Sequence, residues 1–266
     1  MSGNMALRPS ASPRRFRVPT GLWLPLCALL LAELWFALFD VQSAALAPPS
    51  SVTLALVDLL RSGELLQATW QTLVATLAGL CIGGLAGLVL GTILGLSRTA
   101  DRLIEVTLEV LRPVPPVALI PLSLMIFGFG YPLEASIVVF GAIWPLLILT
   151  RDAIRTIEPQ LLEYAALLRL SLWSRVRDII LPAIMPQLFV AVRLATGISL
   201  ILAVTVEITI NPLGLGSGIM RAGIAMNPAR MLAFLVWIAL TGVVLNSGLL
   251  AVQKRFFDYA QERGAE

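Results

Sequence analysis

The sequence predicts an all-α polytopic membrane protein with six transmembrane helices, and three observations carry that expectation. Hydrophobic residues fill 58% of the 266 positions, charged residues 13%, and mean hydropathy is +0.89, more apolar surface than a soluble domain of this length can bury. Apolar runs reach the length at which a helix crosses a hydrocarbon core with all its backbone hydrogen bonds internal. Basic residues fall mainly between those runs.

In chain order the runs are 21–39, 70–96, 115–127, 133–150, 188–207 and 231–252. Arg8, Arg14, Arg15 and Arg17 precede the first, and Ala45-Leu46-Ala47 after it imitates a signal-peptidase site. The run is longer than a usual signal core, so it is expected to stay as an uncleaved first span. An even number of spans puts both termini on one side. With the amino terminus in the cytoplasm, sixteen of the nineteen basic residues lie in cytoplasmic segments or at cytoplasmic span ends, leaving Arg61, Arg221 and Arg230 outside, as the positive-inside rule requires.

The expected organisation is a cytoplasmic tail over 1–20, one transmembrane domain over 21–255 and a second cytoplasmic tail over 256–266, in the inner membrane of a bacterium. Outside lie residues 40–69, whose middle reads as an amphipathic helix, a short turn at 128–132, and a segment rich in Gly, Asn and Pro at 210–230. Inside lie a connector at 97–112 and a long loop at 151–187. No internal repeat is evident.

Several function classes drop out. Arginines dispersed between spans, with no basic run interleaved with aromatics, give no nucleic-acid footprint. Cys27 and Cys81 sit inside apolar runs, where they read as small hydrophobes, not a disulfide or metal pair. The chain has no histidine, no metal-ligand spacing and no nucleophile elbow, so a membrane enzyme finds no support. Its only lysine, Lys254, lies outside any Walker phosphate loop, so no ATP cofactor is expected in this chain.

In the second span Ala75, Gly79, Gly83, Gly87, Gly91 and Gly95 recur one helical turn apart, a small-residue stripe that lets another helix approach closely. RPVPPVALIPL, from Arg112 to Leu122, packs four prolines at the third span. They read either as a kinked helix start or, through freed carbonyls, as pore lining by Pro115 and Pro116. EYAALLRLSLWSRVRDIILP, from Glu163 to Pro182, is too charged for lipid, yet Leu162, Ala165, Ala166 and Leu170 form an apolar stripe. That pattern is a short amphipathic helix in want of a partner groove.

This loop resembles that of ABC importer permeases, in which Glu-Ala-Ala, Gly and Ile-x-Leu-Pro recur at fixed spacing. Glu163, Ala165, Ile179, Leu181 and Pro182 fall on the pattern in register; Tyr164 replaces an alanine and Arg169 the usual glycine. The resemblance extends over about 220 residues and is closest to the nitrate/sulfonate/taurine type, through LAPPSSVTLALVDLLRSGEL, LRPVPPVALIPLSLMIFGFG and VEITINPLGLGSGIM. It implies the type I ABC importer permease fold and the solute path for a small anion such as a sulfonate, taurine or nitrate. It also implies a permease homodimer, two ATPase subunits that bind the ATP, and a periplasmic or lipid-anchored solute-binding protein. Glu163, Ala165, Ala166, Arg169, Leu170, Leu181 and Pro182 would then form the ATPase-coupling element.

Arg193 and Glu207 bracket the fifth span fourteen residues apart, within about 40° on one helical face. With Thr196 and Gly197 nearby, that face is a candidate wall of the path; snorkelling of both charges to water is the competing reading. Glu33 reads as a packing residue without an evident partner. An ion-coupled secondary transporter would need buried acid or histidine relays and broken helices in repeated halves, which the sequence does not present.

Overall fold

The computed structural model describes residues 23–39, 43, 45–158, 160–161, 167–168 and 171–263. Among them are nine helices of eight residues or more and no strand: α1 (Trp23–Phe39), α2 (Pro49–Arg61), α3 (Glu64–Leu96), α4 (Arg98–Leu111), α5 (Ile120–Phe127), α6 (Tyr131–Arg155), α7 (Leu181–Thr209), α8 (Gly214–Ile224) and α9 (Pro228–Arg263).

Local chemistry sets the boundaries. Glu33 of α1 accepts hydrogen bonds from the Ser50 amide (3.0 Å) and hydroxyl (2.7 Å), which supplies the partner the sequence did not reveal and places an acid at the start of α2. Gly63, at φ 77°, turns the chain between α2 and α3. The expected 97–112 connector is α4, started by the Ser97 hydroxyl accepting the Ala100 amide at 3.2 Å. The proline cluster ends α4 and opens a 3₁₀ turn, Pro116–Leu119, that leads into α5; α4 and this second segment meet at 83°. Before α7 a π turn spans Val176–Ile180, with the Leu181 amide reaching back to the Val176 carbonyl. The wider turn relieves the Pro182 ring from the carbonyl one α-turn behind it.

Three expected boundaries change. As a helix α7 starts at Leu181, seven residues before the span expected from residue 188. The 210–230 segment contains a helix, α8. Among the described residues four helical stretches are long and apolar enough to cross a bilayer, 64–96, 131–155, 173–224 and 228–255, the bent α4–α5 unit is a fifth, and α1 is apolar but shorter, so the count of six is not established.

The glycine stripe acts as the sequence predicts. A Cβ added at Gly79 would lie 2.5 Å from Val138 Cβ, at Gly83 2.5 Å from the Val139 carbonyl, at Gly87 2.5 Å from the Ile143 carbonyl and at Gly91 2.6 Å from the Leu147 carbonyl. Matched steps of four residues in the same chain direction mean that α3 and α6 run parallel with their backbones almost touching. α7 packs on the other side of α6, through Ile137, Val138, Leu202, Ala203 and Val206.

Gly83→Ala is expected to destabilise the protein by about 1–3 kcal/mol, because the added methyl meets backbone that cannot move alone. Gly84, which faces only Leu146 Cδ1 at 3.4 Å, is the control: Gly84→Ala should be neutral or gain up to about 1 kcal/mol of helix propensity. Unfolding midpoints in detergent micelles decide, and equal midpoints would remove the packing role assigned to the stripe.

Candidate functional site: two polar clusters and the helix faces between them

At one end of the α3–α6 pair, a buried polar network holds the start of α8. Three of its first amides are taken: Gly214 donates to Gln71 Oε1 (3.0 Å), Leu215 to Thr72 Oγ1 (2.9 Å) and Gly216 to Glu207 Oε2 (2.7 Å). The Thr72 hydroxyl donates to Glu207 Oε1 at 2.7 Å. Glu207, 2% exposed, thus accepts from donors that a helix start otherwise leaves orphaned. Gly214 adopts φ 84°, and any side chain there would occupy the space of the Glu207 carboxylate. Asn211 extends the network: its Nδ2 donates to Glu134 Oε2 (3.1 Å), and its Oδ1 accepts the Gly130 amide (3.0 Å). Glu134 is fully buried beside Glu207.

At the opposite end of α6, Asp101 of α4 receives Arg151 (Nε to Oδ1 2.5 Å, Nη2 to Oδ2 2.8 Å) and Arg155. Burial alone would raise the Asp101 carboxyl, but hydrogen bonds and charge from the two guanidiniums hold it below its ordinary value of 3.8. The sign follows: the pairing contributes stability above the ordinary carboxylate range and loses it as pH falls through the lowered value. α4 is thereby fastened to the carboxyl end of α6.

Of the coupling residues, Glu163, Ala165, Ala166, Arg169 and Leu170 lie outside the described residues. Leu181 packs on the cluster of Ala153, Ile154, Ile180, Ile184 and Leu188, and Pro182 is exposed beside it. Of the path residues, Pro115 is exposed, and Pro116 lines an apolar cavity of about 370 Å³ with Trp144, Pro145, Leu194 and Ile198. Arg193 is exposed, its Nε donating to Asn246 Oδ1 of α9 at 2.8 Å. Thr196 is buried and bonds the Val192 carbonyl of its own helix at 2.8 Å. Glu207 is a correction: it does not share an open face with Arg193, because its carboxylate is committed to Thr72 and α8. Sequence reasoning missed Glu134, Asn211, Thr72, Asp101 and Asn246. Glu134 is the only acid in its apolar run, a signal that could have flagged it, whereas Thr72 and Asn246 sit beside Gln71 and Ser247 and carry no such mark.

Residues 83–265 match the sequence profile of the binding-protein-dependent transport system inner membrane component. The chain belongs to that family. Over 254 residues it is 26% identical to SsuC of Bacillus subtilis (strain 168), whose name assigns it to aliphatic sulfonate transport, covering 96% of this chain and 92% of that one. It is 26% identical over 241 residues to the nitrate import permease protein NrtB of Leptolyngbya laminosa, covering 88% and 85%. Among solved structures, a chain of the MetNI methionine ABC transporter in inward-facing conformations superposes with a TM-score of 0.58 at 20% identity, covering 71% of this chain and 95% of that one. The fold is that of a type I importer permease. As an ABC permease the chain supplies the membrane path, works with a solute-binding protein, and leaves ATP hydrolysis to a separate subunit.

Glu207→Ala leaves the Gly216 amide without its acceptor and leaves the Thr72 hydroxyl only the Ala68 carbonyl, 3.1 Å away, a cost of about 1–3 kcal/mol. Glu207→Gln keeps an acceptor and should cost less. Melting temperatures of the purified variants in detergent should fall in the order parent, Gln, Ala, and an Ala variant as stable as the parent would show that the network does not hold α8.

Proposed function

We propose that this permease carries a small inorganic or organic anion inward, as a homodimer joined to two ATPase subunits, with both termini in the cytoplasm. The observation that carries the reading is similarity along nearly the whole chain to relatives named for sulfonates and nitrate. The positions of the basic residues support the orientation. The amphipathic segment from Glu163 sits in the ATPase groove, with its apolar stripe supplying contact and the carboxylate fixing orientation through charge-assisted hydrogen bonds. Arg193, Thr196, Pro115 and Pro116 belong to the path, Arg193 supplying the positive charge an anion meets. The ion-coupled alternative loses its ground, because the family match covers the transmembrane core.

Isothermal titration of the cognate solute-binding protein with sulfonates, nitrate and neutral analogues tests the solute class: binding of anions is expected, and exclusive binding of a neutral or cationic solute would overturn it. Orientation is read by impermeant thiol labelling of right-side-out vesicles in a variant lacking Cys27 and Cys81. Cysteines placed at Ser62 and at exposed Ile224 should react, and one at Ser174 should not; the reverse pattern inverts the topology.

Glu163→Lys should abolish solute-stimulated ATP hydrolysis and uptake in proteoliposomes, with Glu163→Ala milder, because a lysine is forced against a site shaped for an anion. Insertion of the spans is expected to be unchanged. Transport by Glu163→Lys at the parental rate would mean that coupling passes elsewhere.

A further inference from the structure

Two of the three basic residues that the charge distribution puts outside converge on one hollow. Arg230, at the start of α9, pairs with Glu64 of α3 (Nη2 to Oε2 2.7 Å), and Arg221 of α8 approaches the other oxygen (Nη2 to Oε1 3.6 Å). Arg221 is aimed by its own helix and the turn before it, Nη1 donating to Ser217 Oγ (2.8 Å) and to the Pro212 carbonyl (3.3 Å). Asn227 receives the Arg230 amide at 3.1 Å and lines the same hollow. The space measures about 250 Å³, with Phe234 and Ala222 among its apolar lining. Gly218 lets the Phe234 ring close against α8, since a Cβ there would lie 2.5 Å from Cζ. Two guanidiniums against one carboxylate leave one positive charge in excess. All three side chains remain reachable from water, at 54%, 47% and 36% exposure for Arg221, Arg230 and Glu64. Asp58 lines an adjoining hollow with Arg230.

We propose that this hollow is a low-affinity anion site at the outer mouth, built for a small amphiphilic oxyanion such as a short alkanesulfonate. The head group takes the two guanidinium forks, which suit oxyanion geometry, and the alkyl part lies toward Phe234 and Ala222. Glu64 is the internal competitor: it occupies the forks when the site is empty and is displaced when an anion arrives, which keeps affinity low enough for release. The proposal rests on the outward orientation and the anionic solute argued above.

The probe is trifluoromethanesulfonate, titrated against the intact permease–ATPase complex in nanodiscs of zwitterionic lipid and read by ¹⁹F line broadening. Arg221→Gln and Arg230→Gln should each weaken binding by about two- to fivefold, the range for removing one exposed charge partner. Arg221→Lys should weaken it less. Glu64→Gln should strengthen binding by a similar factor, the opposite of what loss of a merely structural ion bridge produces. Weakened or unchanged binding in Glu64→Gln overturns the site, as does parental broadening in both Gln variants of the arginines. If those variants broaden like the parent but lose stimulation by the binding protein, the face docks that protein and the anion site falls. A neutral ligand on the binding protein would sink the anion-import reading instead, whereas an anionic ligand with a flat titration sinks this site alone.

Discussion

Backbone contact between α3 and α6 is the constraint on which the rest depends. Gly79, Gly83, Gly87 and Gly91 bring α3 so near the α6 carbonyls that no other residue fits, and in a bilayer, where lipid competes for every apolar contact, such closeness is what distinguishes helix from solvent. Because the pair is parallel, the chain must return across the membrane between them, which the bent α4–α5 unit does. The two polar clusters then fall at opposite ends of one rigid element. Glu134 opens α6 and joins the network around α8, while Arg151 and Arg155 close it and hold Asp101.

The spans around this pair are legible in the sequence because their signals are local: apolar length, a repeat of four, and arginines outside. α8 is not. Gly216 and Gly218 read as turn residues, yet each is buried in a helix that approaches its neighbours closely; a Cβ at Gly216 would sit 2.5 Å from the Val204 carbonyl. Glycine as a spacer and glycine as a turn former look alike in one dimension, and only packing separates them. The seven-residue error at the start of α7 has a similar cause, since Pro182 and Pro186 suggest an interrupted helix and the π turn absorbs the first of them.

The candidate site divides the same way. In sequence the 163–182 segment, of which residues 163–166, 169 and 170 lie outside the described residues, stands out as a charged stretch with an apolar stripe and fixed spacing, all within twenty residues. The network around Glu207 does not, because its partners are far apart in sequence: Asn211 meets Glu134 at a separation of 77, and Thr72 meets Glu207 at 135. Helical-wheel reasoning placed Glu207 and Arg193 within 40° of each other, and both are on α7 as expected, but angle alone does not say what covers each end. Near its carboxyl end α7 is covered by α3 and α8; at Arg193 the side chain is exposed and bonds Asn246 of α9.

These placements bear on how a push from an ATPase would travel. Under the proposed coupling role, the segment that carries Glu163 lies between Arg155 at the end of α6 and Leu181 at the start of α7, so both helices are its neighbours in the chain. α6 cannot slide along α3 without breaking the glycine seam, and its carboxyl end is fixed to α4 through Asp101. α7 is less confined at its amino end, where a π turn replaces regular helix and Pro182 is exposed. Its carboxyl end is bonded through Glu207 to the amide-rich start of α8. Rotation or tilt of α7 against a stationary α3–α6 pair would therefore be delivered to α8, the element that carries Arg221. Under that reading the buried Glu207 carboxyl ties the carboxyl end of α7 to the start of α8, and its hydrogen bonds from Gly216 and Thr72 offset part of its desolvation.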